Sequence, residues 1–193
     1  MRRAPAALRN SAEEWGAVAK VLHWLLAALL AGQWGLGFYM SGLAEADLVL
    51  RFELYQLHKS VGLTLLLLVL LRLAWRVGGP VPGWPPGMPR WERRAASASH
   101  ALLYVLMIGL PVTGFLMVST SPLGLPTRFW GLFAVPHPLG PNATLERAFG
   151  NIHEKLGWAF AFLVLLHVAA ALKHHFRDRD RVLVRMLPAR FFR

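Results

Sequence analysis

Four long apolar runs divide the chain, near residues 18–40, 54–77, 98–119 and 151–174. Each is about the twenty residues that a helix needs to cross the hydrocarbon of a bilayer. Between the second and third runs, GGPVPGWPPGMPR (Gly78 to Arg90) is too rich in Pro and Gly to continue a helix and reads as an irregular connection. The third connection is longer. Its aromatic RFWGLFAV stretch, flanked by prolines, predicts a short element lying at the membrane interface. The first run has full spanning length and a histidine near its start, so it reads as a retained span rather than a signal peptide. The pattern predicts an all-α fold: one integral membrane domain over residues 1–193, an up-and-down four-helix bundle. Its connections fall at 78–97 and 120–150, and its tail at 175–193.

Composition agrees with a membrane chain. Hydrophobic residues make up 55% of 193 and charged residues only 16%, and mean hydropathy is +0.42, far from an ordinary soluble domain. The net charge of +11 is unevenly spread. Sixteen of the 21 Lys and Arg residues fall at the N-terminus, around the second connection and in the tail. The other five are Arg51, Lys59, Arg128, Arg147 and Lys155. Positive charge near span ends resists translocation, so both termini are expected in the cytoplasm, with the basic tail meeting anionic membrane lipid. This accounts for the charge without nucleic acid, for which no binding motif is visible. Cysteine is absent, which excludes disulfides, thiolate metal sites and covalently attached c-type haem.

Five of the eight histidines lie at or inside the apolar runs: His23, His58, His100, His153 and His167. Ionisable groups at membrane depth are costly and usually face a partner in the bundle interior. His153 and His167 are separated by about 21 Å of helical rise and point within about 40° of one another, so they share one face at two depths. HKSVG at His58 and HEKLG at His153 each open a run from the same side. Up-and-down order then sets His153 level with His58 on the outer side and His167 level with His23 on the inner side. Opposed imidazoles are the axial geometry of a b-type haem and favour electron transfer over ligand chemistry. The small residues Ala27, Gly62, Gly157 and Ala171 follow the four histidines by one turn and leave room for a flat macrocycle. His100 is a rival inner ligand, or a hydrogen-bond partner of a propionate or a quinone. His137, His174 and His175 read as surface or headgroup residues. Lys59 and Lys155 either steer an anion or snorkel. Arg72 and Arg76 either pair with propionates or serve topology. Gln33, Thr64 and Thr113 either contact a quinone or bond to backbone carbonyls. Pro111 bends the third helix. A histidine-lined metal permease and a purely docking subunit are the competing classes, the first disfavoured by the lack of acids deep in the spans.

KVLHW around His23, LHKSVG around His58, SHALLYVLMIGLPVTG in the third run and HEKLGWAFAFLVLLHVAAALKHHF in the fourth resemble the bacterial cytochrome b561 family. These are small four-helix, dihaem cytochromes of the bacterial inner membrane, and the likeness covers the chain from Ala19 to about Pro188. It implies two haems b, one held by His23 and His167 and one by His58 and His153. It also implies electron transport between a small outer-face donor, with superoxide as one such donor, or a partner redox protein, and ubiquinone as the membrane quinone. In that reading an electron enters at the outer haem and leaves from the inner one. The alternative is the haem b subunit of a hydrogenase or dehydrogenase complex.

Overall fold

A computed structural model describes residues 8–43 and 47–187. Arg2, Arg3, Arg190 and Arg193 of the charge balance lie outside these residues. Four helices dominate: α1 (Ala17–Ser41), α2 (Leu48–Val77), α3 (Arg90–Ser119) and α4 (Ala143–Lys173). All four are long and apolar enough to span a membrane. Large apolar side chains face outward along them; Val105 is 63% exposed, Phe162 65% and Leu165 68%. A soluble monomer rarely leaves such surface uncovered, whereas lipid covers it at no cost.

Each helix extends past its apolar run, because hydropathy marks only the part suited to hydrocarbon. Asp47 caps α2 by accepting from Leu50 N. Asn142 Oδ1 accepts from Thr144 N and Leu145 N and starts α4 eight residues before the apolar run. The second connection ends at Pro89, so residues 90–97 are helical rather than loop. The tail is also ordered as far as it is described: α4 passes into a π-helical turn (His174–Asp178), followed by a short α5 (Val182–Met186).

The helices pack in chain order, α1 on α2, α2 on α3 and α3 on α4. α1 and α4 stand further apart and meet through side chains among the described residues, His23 against His167 at the inner level and Trp34 edge-to-face on Trp158 at 5.5 Å. Two apolar clusters fill the middle. Leu26, Leu65 and Val69 join α1 to α2, while Leu103, Leu106, Phe160 and Leu163 join α3 to α4. In sequence they fall between the two histidine levels, so packed apolar side chains separate those levels.

The third connection contains a hairpin where a short interfacial element was expected. Strand β1 (Thr127–Phe129) runs antiparallel to β2 (Phe133–Val135), with Arg128 opposite Ala134. Its turn needs positive φ at two successive residues, Trp130 (φ 51°) and Gly131 (φ 74°). Tryptophan adopts that conformation reluctantly. It is held there by α2: Trp130 N donates to Ser60 Oγ at 3.0 Å and Trp130 Nε1 to Thr64 Oγ1 at 3.0 Å. Gln56 does the same for β1, donating to Pro126 O at 2.9 Å and accepting from Arg128 N at 3.1 Å. At the other end, the N-terminal segment, the second connection and α5 interlock. Gly83 N donates to Ala12 O, Arg185 Nη1 to Gly83 O and Trp24 Nε1 to Met186 O.

Candidate functional site

The fold brings His58 of α2 to His153 of α4, and His23 of α1 to His167 of α4. Ring centroids are 6.2 Å apart in the first pair and 6.3 Å in the second. No hydrogen bond joins the rings of either pair. Metal–imidazole bonds are about 2.0–2.1 Å, and each ring nitrogen is roughly 1.2 Å from its centroid, so two imidazoles on one metal sit about 6.5 Å apart. Both pairs match that spacing. All four side chains are half-buried.

The His58–His153 pair borders a cavity of about 660 Å³, also lined by Gly37, Gly62, Gly114, Gly157, Trp34, Met107 and Phe160. Its mixture of glycine and apolar wall suits a flat apolar group. Two of these glycines lie against the histidines themselves. A Cβ at Gly114 would stand 3.0 Å from His153 Cε1, and one at Gly37 would stand 3.2 Å from His58 Cε1. Gly157 opens on empty space. Spacing along one helix identified Gly62 and Gly157; Gly37 and Gly114 act across helices, and only packing reveals them.

Hydrogen bonds distinguish the four rings. His153 Nδ1 donates to Leu110 O at 2.9 Å, which fixes the proton there and frees Nε2 for a metal. His58 Nδ1 is buried with no partner. The backbone carbonyl of His58 is held instead, by Gln33 Nε2 at 2.8 Å, while Gln33 Oε1 is buried and unpartnered beside the cavity. His23 Nδ1 accepts from Arg72 Nη2 at 3.4 Å, and Arg72 Nη1 donates to Ala19 O at 2.8 Å. Sequence reasoning singled out Arg72 as a charge and Gln33 as a polar oddity, without their contacts.

His100 joins the second pair: its ring lies 5.5 Å from that of His167, so three imidazoles gather there. Tyr104, one turn further along α3, has a buried hydroxyl with no partner. The remaining candidates separate. Lys59 lines the cavity and donates to Pro126 O at 3.0 Å, whereas Lys155 is exposed. His137 is no free surface residue. Its Nε2 lies 3.0 Å from Thr127 Oγ1 and its ring packs on Phe115. Burial, and then the nearby Lys59, holds its pKa below the ordinary histidine value. His174 is buried, with Nδ1 2.7 Å from Asp180 Oδ2 and 3.1 Å from Asp178 Oδ2.

The model of the prokaryotic cytochrome b561 family matches residues 14–189 of this chain. The chain belongs to that family. Cytochrome b561 homolog 2 of Escherichia coli K12 is 36% identical over 178 residues, covering 92% of this chain and 93% of that protein. Cytochrome b561 homolog 1 of the same organism is 30% identical over 173 residues, 88% and 94% of the two chains. A protein named probable superoxide oxidase CybB, from Yersinia pestis, is 28% identical over 167 residues, 86% and 92%. As a cytochrome b561, the protein is a multi-pass membrane protein of the bacterial inner membrane that binds b-type haem and takes part in electron transport. The residues present fit that group: paired imidazoles at metal-bridging separation, glycines against the rings, and an orphaned His58 nitrogen at a large apolar cavity.

Proposed function

We propose that the protein carries electrons across the inner membrane through two haems b. His58 and His153 hold one on the outer side, and His23 and His167 hold the other on the cytoplasmic side. Membrane quinone, ubiquinone in the first instance, is one redox partner and a small outer-face donor the other. The observation that carries this reading is the recurrence of one geometry at two levels, with ring centroids 6.2 and 6.3 Å apart. Each haem, when bound, supplies one-electron iron chemistry with no open coordination position.

The protein's own contribution is rigidity and charge. All four histidines stand on long helices, so their separation changes little with redox state. Leu110 O orients the His153 ring through its Nδ1 proton. Arg72, which donates to Ala19 O and lies against His23 Nδ1, would hold a positive charge beside the inner haem. Superoxide is favoured as donor by the relative named a probable superoxide oxidase and by the cationic Lys59 at the outer cavity. Positive charge at the end of α1 nearest Lys20, around the second connection and in α5 supports cytoplasmic termini.

The test is a visible spectrum and a pyridine haemochrome assay on purified protein, then superoxide-driven quinone reduction in detergent. About two haems per chain and quinone reduction that superoxide dismutase abolishes are expected. One haem per chain, or reduction by quinol alone, overturns the scheme.

A further inference from the structure

His153 is gripped by a single turn of α3. Its Nδ1 lies 2.9 Å from Leu110 O and 3.3 Å from Thr113 Oγ1. The Thr113 hydroxyl has two carbonyls to donate to, Gly109 O at 2.7 Å and Leu110 O at 3.0 Å. Donation to the nearer one leaves a lone pair on Oγ1 facing the His153 ring proton, so two oxygens share that proton. Gly114, next along the same turn, supplies the space, since a Cβ there would stand 3.2 Å from His153 Nδ1. None of the other three paired histidines has such a partner for its ring. Among the described residues, His58 Nδ1 is buried and unpartnered, His23 meets only the donor Arg72, and His167 makes no ring hydrogen bond.

We infer that Thr113 is a positioning residue for the outer centre: acting through His153, it sets the orientation of that imidazole and its strength as an electron donor to iron. This rests on the haem reading above. Oxygen acceptors at Nδ1–H make the ring more imidazolate-like, and a more basic ligand stabilises ferric over ferrous iron. Taking one acceptor away therefore raises the reduction potential of the outer haem and leaves the inner one unchanged. A threonine that only satisfies its own helix, as Ser and Thr within spans commonly do, affects neither potential.

The test uses the full chain in detergent and compares wild type, Thr113→Ala and Thr113→Ser by redox titration of the haem band and by the low-spin ferric EPR signals. His153→Ala identifies the outer signal. Thr113→Ala is expected to favour the ferrous outer haem by about threefold to tenfold, roughly 30–59 mV for a one-electron couple. Thr113→Ser, which restores the hydroxyl, returns the midpoint to the wild-type value. If Thr113→Ala sheds the outer haem instead, retention by Thr113→Ser at the wild-type midpoint supports the inference equally. An unchanged outer midpoint and EPR signal in Thr113→Ala, an equal shift of both haems, or failure of Thr113→Ser to restore the outer centre overturns it. Retention of both haems by His153→Ala rejects the haem reading itself.

Discussion

At the scale of residues, each histidine pair is a claim about which side chains share one cofactor. His58→Ala and His153→Ala are each expected to remove the outer haem and spare the inner one, and His23→Ala and His167→Ala to do the converse; haem per chain and the split of the reduced band check this. Equal haem loss in His100→Ala and His23→Ala would reassign the inner ligand, since His100 already lies 5.5 Å from His167. Gly114 offers a sharper probe. A side chain there meets His153 at 3.0 Å, while replacing glycine within a helix usually favours the helix by up to about 1 kcal/mol. Gly114→Val is therefore expected to lower haem from about two to about one per chain while far-UV circular dichroism stays unchanged. The pairing of His58 with His153 could be read from spacing and span direction. The roles of Gly37, Gly114 and Leu110 could not, because each acts on a histidine of another helix and carries no periodic mark.

Among the elements, the hairpin depends most on its neighbour. Ser60 is 2% exposed; its hydroxyl accepts from Trp130 N and lies within donating distance of both Gln56 O and Arg128 O. Removing it leaves the part-buried Trp130 amide without its acceptor at a turn whose positive φ suits tryptophan poorly. Ser60→Ala and Gln56→Ala are each expected to cost about 1–3 kcal/mol of hairpin docking. Faster amide hydrogen exchange over residues 127–135, with the core of α3 and α4 unaffected, is the measurement. The hairpin escaped sequence reading for a physical reason. Its turn is Trp-Gly rather than Asn-Gly or Asp-Gly, and the stabilisation comes from α2, about seventy residues away. The first turns of α3 and α4 escaped it too, since polar helix beyond the hydrocarbon has no hydropathy signal.

For the whole molecule, two histidine pairs that each reach α4 and a packed apolar layer between their levels set the plan of the bundle. Reporter fusions to the two termini are expected to give cytoplasmic signals at both, and a periplasmic signal at either contradicts the charge-based orientation. Four spans, the all-α class, the family and the histidines as candidates were all determined by the sequence alone. The spans, the class and the candidates follow from local quantities: apolar run length, helical period, and the cost of an imidazole in hydrocarbon; the family follows from the likeness of whole motifs. Only the tertiary structure decided which side chains surround the rings, that His100 stands beside His167, that the outer connection is a hairpin, and that Thr113 faces His153. Those depend on how one helix is rotated and set against another, and a one-residue change in that setting moves every contact while leaving the hydropathy of the chain the same.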